Sequence, residues 1–263
     1  MIEEKGGEIM APKPMQLHTP RLCLQSFSPE DGASMARLLT DPAVGETYIV
    51  PEFPSPEAVQ ALFERFRGLS LDPERLVYGI YREGTLIGFA NEVHREGSAM
   101  EVGYVIDPAH KGQGYATEAL MGLIRAVFSM GFDTLRAGAF ERNLASLRVM
   151  EKCGLRPTGE TEAIAYRGKT HRCICCQISM EEITAAIQTM ETLFDRLQTM
   201  QAEEPKSVQT PEFREDLQRL TDYYEGGTWL CHYQMDEMDL LPPGLKRGVL
   251  SQDGVYNFLA SVQ

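Results

Sequence analysis

The chain has 263 residues, 43% of them hydrophobic and 24% charged, the balance of a soluble globular protein with a sizeable core. Its net charge of −13 argues against a nucleic-acid backbone as the main partner, because phosphate binding needs a basic face; cationic amines stay compatible. No run reaches the roughly 20 apolar residues of a membrane helix, so no membrane association is expected. The acidic start, Met1 to Glu8, lacks the order of a secretory signal. A cytoplasmic location follows as the expectation, with residues 1–14 as a flexible lead-in.

In chain order, Leu17 to Phe27 reads as a first strand, and Ser28-Pro29-Glu30-Asp31 as a helix start with cap, first-turn proline and acids. Ser55-Pro56-Glu57 opens a helix to about Arg67, with Val59, Leu62, Phe63 and Phe66 at helical spacing. Val77–Tyr81 and Leu86–Val93 flank Arg82-Glu83-Gly84-Thr85, a hairpin with a four-residue loop. Met100–Ile106 alternates its side chains, placing Glu101, Gly103 and Val105 on one face. A glycine-rich turn leads into a helix from about Tyr115 to Met130. Thr134–Phe140 is a further strand, Ser146–Cys153 a helix closed by Gly154, and strands around Ala163 and over Cys173–Ser179 complete a mixed α/β layer.

From Glu181 the character changes. Residues 181–263 hold 15 acidic and 6 basic residues, a net of −9, against −4 for residues 1–180. Ile183, Ile187, Met190, Phe194 and Leu197 form a helical stripe; 202–211 reads as a loop, Glu212–Tyr224 as a helix, and Val255–Val262 as a small terminal helix. Two units are expected, 15–180 and 181–263. The six cysteines carry no paired C-x₂₋₄-C spacing, so no metal site is expected, and Cys173, Cys175 and Cys176 read as filler in a partly buried strand.

The informative segment is Tyr104 to Glu118, where a strand runs into Lys111-Gly112-Gln113-Gly114 and then into a helix. Glycines admit close backbone approach, and a helix N-terminus offers N–H groups and a positive dipole end, so the turn suits a pyrophosphate. Neither G-x-x-x-x-G-K-[ST] nor G-x-G-x-x-G is present.

Three segments carry a resemblance. Val105-Ile106-Asp107-Pro108 followed by Lys111-Gly112-Gln113-Gly114-Tyr115-Ala116 resembles the acetyl-CoA pyrophosphate loop of the GNAT acetyltransferases, with Lys111 where Arg or Gln is commoner. Asn143 and Ser146 followed by Glu151-Lys152-Cys153-Gly154 resembles the family's Asn-x-x-Ser…Glu-Lys-x-Gly segment. Thr19-Pro20-Arg21-Leu22 is similar to the branch that acetylates ribosomal-protein N-termini. The resemblance implies an α/β GNAT fold: a twisted mixed sheet whose central parallel strands, Met100–Ile106 and Thr134–Phe140, splay apart. It implies acetyl-CoA as cosubstrate, its pantetheine arm on the backbone of Val105 and Ile106. The pyrophosphate would rest on the amides of Lys111, Gly112, Gln113, Gly114, Tyr115, Ala116 and Thr117, with Asn143 and Ser146 near the thioester. It further implies a primary amine as acceptor, entering over residues 43–72.

N-acetylation needs a general base with a pKa lifted toward the working pH. Glu101 is the candidate, with a strand carboxylate that orders a loop as the alternative and Glu92 as fallback. Many relatives supply a tyrosine as acid where this chain has Met150; Ser146 is the remaining candidate for the thiolate, or else a helix N-cap. Arg148 and Lys152 meet CoA phosphates or lie on a solvated face. Residues 181–263, with Trp229 among tyrosines, resemble a small bacterial domain family of unknown function, which would serve docking or dimerisation. The rival reading is a catalytically silent acetyl-CoA-binding protein whose C-terminal unit carries the interaction.

Overall fold

A computed structural model describes residues 11–262 and divides the chain into two units, Met1–Glu151 with Leu155–Gln177, and Lys152–Gly154 with Ile178–Gln263. Most of the expected lead-in lies outside the described residues. Its last residues are anchored rather than loose: Ala11 N donates to Met130 O (3.0 Å) and Lys13 N to Pro73 O (2.8 Å). The Lys13 side chain is buried, donating to the carbonyls of Ser70 (2.6 Å) and Val77 (3.1 Å), and burial pulls its pKa down to about 8.

The first unit is the expected mixed α/β layer. Its strands are β1 (Gln16–His18), β2 (Cys23–Gln25), β3 (Val77–Arg82), β4 (Thr85–Glu96), β5 (Ala99–Ile106), β6 (Thr134–Phe140), β7 (Arg156–Tyr166) and β8 (Lys169–Ser179). They form one sheet in the order β1-β2-β3-β4-β5-β6-β8-β7. β5 and β6 are parallel, joined by the crossover helix α4 (Tyr115–Ser129), while β1 through β5 and the β7–β8 pair run antiparallel. Residues 17–27 are two strands instead of one, because Thr19 Oγ1 accepts from Leu22 N (3.0 Å) and turns the chain back at Pro20. The expected four-residue loop is a two-residue turn, since Arg82 pairs with Thr85 and both Glu83 (φ 50°) and Gly84 (φ 78°) take the left-handed conformation of a primed hairpin turn.

One sheet face is covered by α1 (Gly32–Thr40), the short α2 (Pro42–Gly45) and α3 (Pro56–Leu71), whose Met35, Leu38, Val59 and Phe63 pack with Val77, Phe89 and Val105. These are buried nearly to zero exposure, so truncating Phe63 or Phe89 to alanine would cost about 3–5 kcal/mol. α4 packs against β1, β5 and β6. α5 (Leu144–Lys152) ends in a Schellman turn: Gly154 takes φ 87° and Leu155 N donates to Met150 O (3.0 Å).

The second unit is helical: α6 (Met180–Glu203), α7 (Pro211–Glu225), α8 (Thr228–Glu237) and α9 (Gln252–Val262). A capping box between Ser179 and Glu182 starts α6. α8 is not foreseen from the sequence, because Trp229, Cys231, His232 and Met235 all turn inward without the stripe of an amphipathic helix. Trp229 stacks on Tyr233 (5.1 Å, 11°) and donates to Val249 O (2.8 Å). Arg247 pairs with Asp236, whereas Lys246 reaches Asp195 and the buried Glu191. Among the described residues, no helix is long and apolar enough to cross a membrane.

Candidate functional site

The parallel pair opens. β5 and β6 are in register only at Ala99–Thr134, Met100–Leu135 and Glu101–Arg136, although β6 continues to Phe140 and β5 stays paired with β4 as far as Ile106–Gly88. Beyond Glu101 the two strands part. Peptide groups alternate sides along a strand, and Asp107 N donates to Ile87 O (2.8 Å) on β4. Residues 105 and 107 therefore turn to β4, while Tyr104 and Ile106 present their backbone toward β6. The two residues of the expected pair thus face opposite ways. Ile106 faces the gap, but Val105 faces β4, where any side chain at Gly88 would collide with its carbonyl oxygen.

β5 leads into the glycine turn. Asp107 is buried, its side chain accepting from Ala109 N (2.9 Å) and paired with Arg37 (2.6 Å); these partners outweigh burial and hold its pKa low. Gly112 (φ 76°) and Gly114 (φ 82°) take conformations that side chains resist, and Gly114 places Tyr115 at the first position of α4. The N–H groups of Tyr115 and Ala116 then have no acceptor within the helix. Lys111, Gly112, Gln113 and Gly114 are exposed, Ala116 and Thr117 half-buried.

A bolt from the Thr19–Leu22 segment secures this loop. Arg21, from the β1–β2 turn, pairs with Glu118 (2.7 Å) and donates to Gln113 O (2.9 Å), while Thr19 Oγ1 donates to Glu118 (2.5 Å). Arg21 and Arg82 lie 4.6 and 5.4 Å from the Tyr115 ring centre. Arg21 and Arg37, each paired with a carboxylate, and Arg82 over the Tyr115 ring thus bring cationic groups to the turn and its flanks. Exposed amides, left-handed glycines and these cations fit a pyrophosphate.

On the α1–α3 face stands Glu101, half-buried beside Gly138 and Cys173. Burial raises its pKa most, the Glu162 carboxylate adds to the rise, and His94 and Arg136 oppose it. Arg136, its register partner, is itself paired with Glu96 (2.8 Å). Tyr48 lies across Gly103 and donates to Asn91 Oδ1 (2.7 Å). Glu92, the fallback base, is a structural group instead: buried, paired with Arg75 (2.7 Å) and Arg95, and accepting from Leu76 N (2.9 Å). On the same unit, Ile49, Val50, Pro51, Glu52, Ala165, Tyr166 and Arg167 line a cleft of about 370 Å³. Tyr166 Oη holds the 48–50 segment, accepting from Val50 N (3.4 Å).

The opposite side of the gap belongs to α5. Asn143, not Ser146, caps this helix: its Oδ1 accepts from Ser146 N (3.2 Å). That leaves the Ser146 hydroxyl for Tyr104, whose Oη lies 3.1 Å from Ser146 Oγ. Met150 is buried within the same helix. Arg148 lines a cavity of about 310 Å³ with Leu147, Glu151, Pro157 and Cys176. Of the segments singled out in the sequence, Glu101 stands at the last pairing of β5 with β6, Lys111–Thr117 follows the end of β5, and Ser146 reaches β5 through Tyr104. Sequence reasoning assigns no role to Glu118 or Tyr104; their contacts with Arg21 and Ser146 appear only in the structure. Among the described residues, no group of three His, Cys, Asp or Glu side chains is arranged to hold a metal.

Comparison with known proteins gives the family and the fold. Residues 21–156 match the family model described as acetyltransferase (GNAT) domain, and residues 187–263 match a separate domain of unknown function, DUF4298. The uncharacterized N-acetyltransferase YoaA of Bacillus subtilis is 27% identical over 160 residues, covering 59% of this chain and 90% of YoaA. A GNAT-family acetyltransferase structure from Bacillus anthracis aligns with a TM-score of 0.55 at 23% identity, covering 64% of this chain and all of that one. RimL, a ribosomal L7/L12 alpha-N-protein acetyltransferase solved with coenzyme A, aligns with a TM-score of 0.56 at 17% identity, over 65% of this chain and 99% of RimL. At these identities the structures speak for the fold alone.

Proposed function

The chain belongs to the GNAT acetyltransferase family and is an acyltransferase, and from that premise we propose that residues 15–180 move an acetyl group from acetyl-CoA to a primary amine by direct attack in a ternary complex. The observation that carries this reading is the opening of β5 from β6 beyond Glu101, with the glycine turn at its end. The backbone of Tyr104 and Ile106 holds the pantetheine arm. The amides of Lys111 to Thr117 hold the pyrophosphate within the field of Arg21, Arg37 and Arg82.

Glu101 accepts the proton of the incoming amine, a task suited to a carboxylate whose pKa is raised by burial. As the N–C bond forms, the C–S bond breaks and its electron pair passes to sulfur. Ser146 donates a hydrogen bond to that thiolate, and Asn143 fixes Ser146 by its backbone. The acceptor, a protein N-terminus or a small amine, enters through the cleft between Ile49–Glu52 and Ala165–Arg167. The test is mass-spectrometric detection of CoA and acetylated product with N-terminal peptides, amino acids, polyamines and aminoglycosides. Acceptor-dependent product lost in Glu101→Gln supports the reading; turnover unchanged in that variant removes Glu101 from the mechanism.

A further inference from the structure

The Ser146 hydroxyl has no capping duty, and the residue facing it decides where its hydrogen points. Asn143 already satisfies the N–H of Ser146, so the start of α5 stands without the serine side chain. Tyr104 Oη approaches Ser146 Oγ to 3.1 Å from β5, three residues past the last pairing of β5 with β6. The contact therefore lies where the strands have separated.

We propose that Tyr104 is the positioning residue of the leaving-group side: it donates its hydrogen to Ser146 Oγ and so directs the serine's own hydrogen at the sulfur of coenzyme A. This inference rests on the acetyl-CoA reading given above. A phenol is a far stronger acid than an aliphatic alcohol, so in this pair the tyrosine donates and the serine accepts. With that lone pair engaged, the one hydrogen on Ser146 Oγ points away from Tyr104. A hydrogen bond received by the serine strengthens the one it gives, and a thiolate acceptor makes that bond charge-assisted. Asn143 on the backbone and Tyr104 on the hydroxyl hold Ser146 in place before any ligand arrives, which is the condition for stabilising charge as it develops. Tyr104 loses no proton. The C–S electron pair stays on a hydrogen-bonded sulfur, which takes its proton from solvent on release. Met150, buried on the same helix, has no hydroxyl to offer, so the Tyr104–Ser146 pair supplies this side of the site.

The experiment is calorimetric titration of the full chain with CoA and with desulfo-CoA, in which hydrogen replaces the thiol, at pH 6 and pH 9. An alkyl thiol titrates above the cysteine value of about 8.5, so of the two pH values only the higher populates the thiolate appreciably. The wild type should prefer CoA about tenfold at pH 9, the scale of one charge-assisted hydrogen bond, and prefer it less at pH 6. Tyr104→Phe should cut that preference several-fold with desulfo-CoA affinity unchanged, and Ser146→Ala should abolish it. The double variant should lose no more than Ser146→Ala alone, as two members of one relay do. Each preference is a ratio within one protein, so partial unfolding of a variant cancels. A wild-type preference that does not grow with pH overturns the proposal, as does a Tyr104→Phe variant that keeps the wild-type ratio or weakens both ligands equally. A wild type that binds neither ligand overturns the acetyl-CoA reading itself, a different result from the loss of thiol selectivity.

Discussion

The two units differ in how they hold their polar groups. In the helical unit each is locked to a partner: Glu191 accepts from Val249 N (2.5 Å) and pairs with Lys246 (3.2 Å), Asp216 sits between Arg196 and Arg219, and His232 Nδ1 lies 2.9 Å from Tyr223 Oη. In the acetyltransferase unit Asp107, Glu118 and Glu92 are locked in the same way, whereas Glu101 stands half-buried with the Glu162 charge acting on it. Polar groups that are fully paired specify a fold. A group with a displaced pKa at the mouth of an opening is suited to chemistry. The first unit has both kinds; among the described residues the second shows the first kind only.

The sharpest way to break this contrast is Glu101→Gln, a substitution expected to lower turnover by about a hundredfold or more. Acetyl-CoA affinity and thermal stability should stay put; a parallel fall in either would make Glu101 one more structural carboxylate.

The helical unit should answer to acid instead. Burial depresses His232 from 6.5 to about 4, so between those pH values the unfolded chain binds a proton that the folded unit refuses. Stability is whole above pH 6.5 and is lost as pH falls toward 4, by about 3 kcal/mol. Hydrogen exchange in α6–α9 measured at pH 7 and pH 4.5 reads the loss. His232→Phe should flatten it, and an unchanged pH dependence in that variant would assign it to the carboxylates.

A smaller effect is expected at the loop. Gly114 has φ 82°, and an added Cβ would stand 3.3 Å from Arg21 Nη2. Gly114→Ala should cost about 1–2 kcal/mol of backbone strain and weaken acetyl-CoA binding about tenfold, as read by calorimetry. The smallest change belongs to Glu162. Its charge helps raise Glu101, so Glu162→Gln should move the acidic limb of the pH–rate profile to lower pH. A shift to higher pH would mean that Glu162 does not act on Glu101 by charge.

What the sequence by itself determined is what repeats or turns within a few residues. The helical stripe of α3, the alternation of β5, the bounds of β6 and the glycines at 112 and 114 are local signals, and with them came the mixed α/β layer and the family. α8 escaped because its inward residues follow no stripe, and the β1–β2 turn because Thr19 acts through a hydrogen bond to Leu22 that no periodicity announces. Only the tertiary structure decided which residue of the pair 105–106 faces the opening, because that depends on the register with β4. It also decided that Glu118 anchors Arg21 across 97 positions, that Glu92 is spent on Arg75 and Arg95, and that Tyr104 meets Ser146 across 42. Such pairings join elements brought together by packing of the sheet and its helices, and neither partner's neighbours along the chain carry a sign of the other.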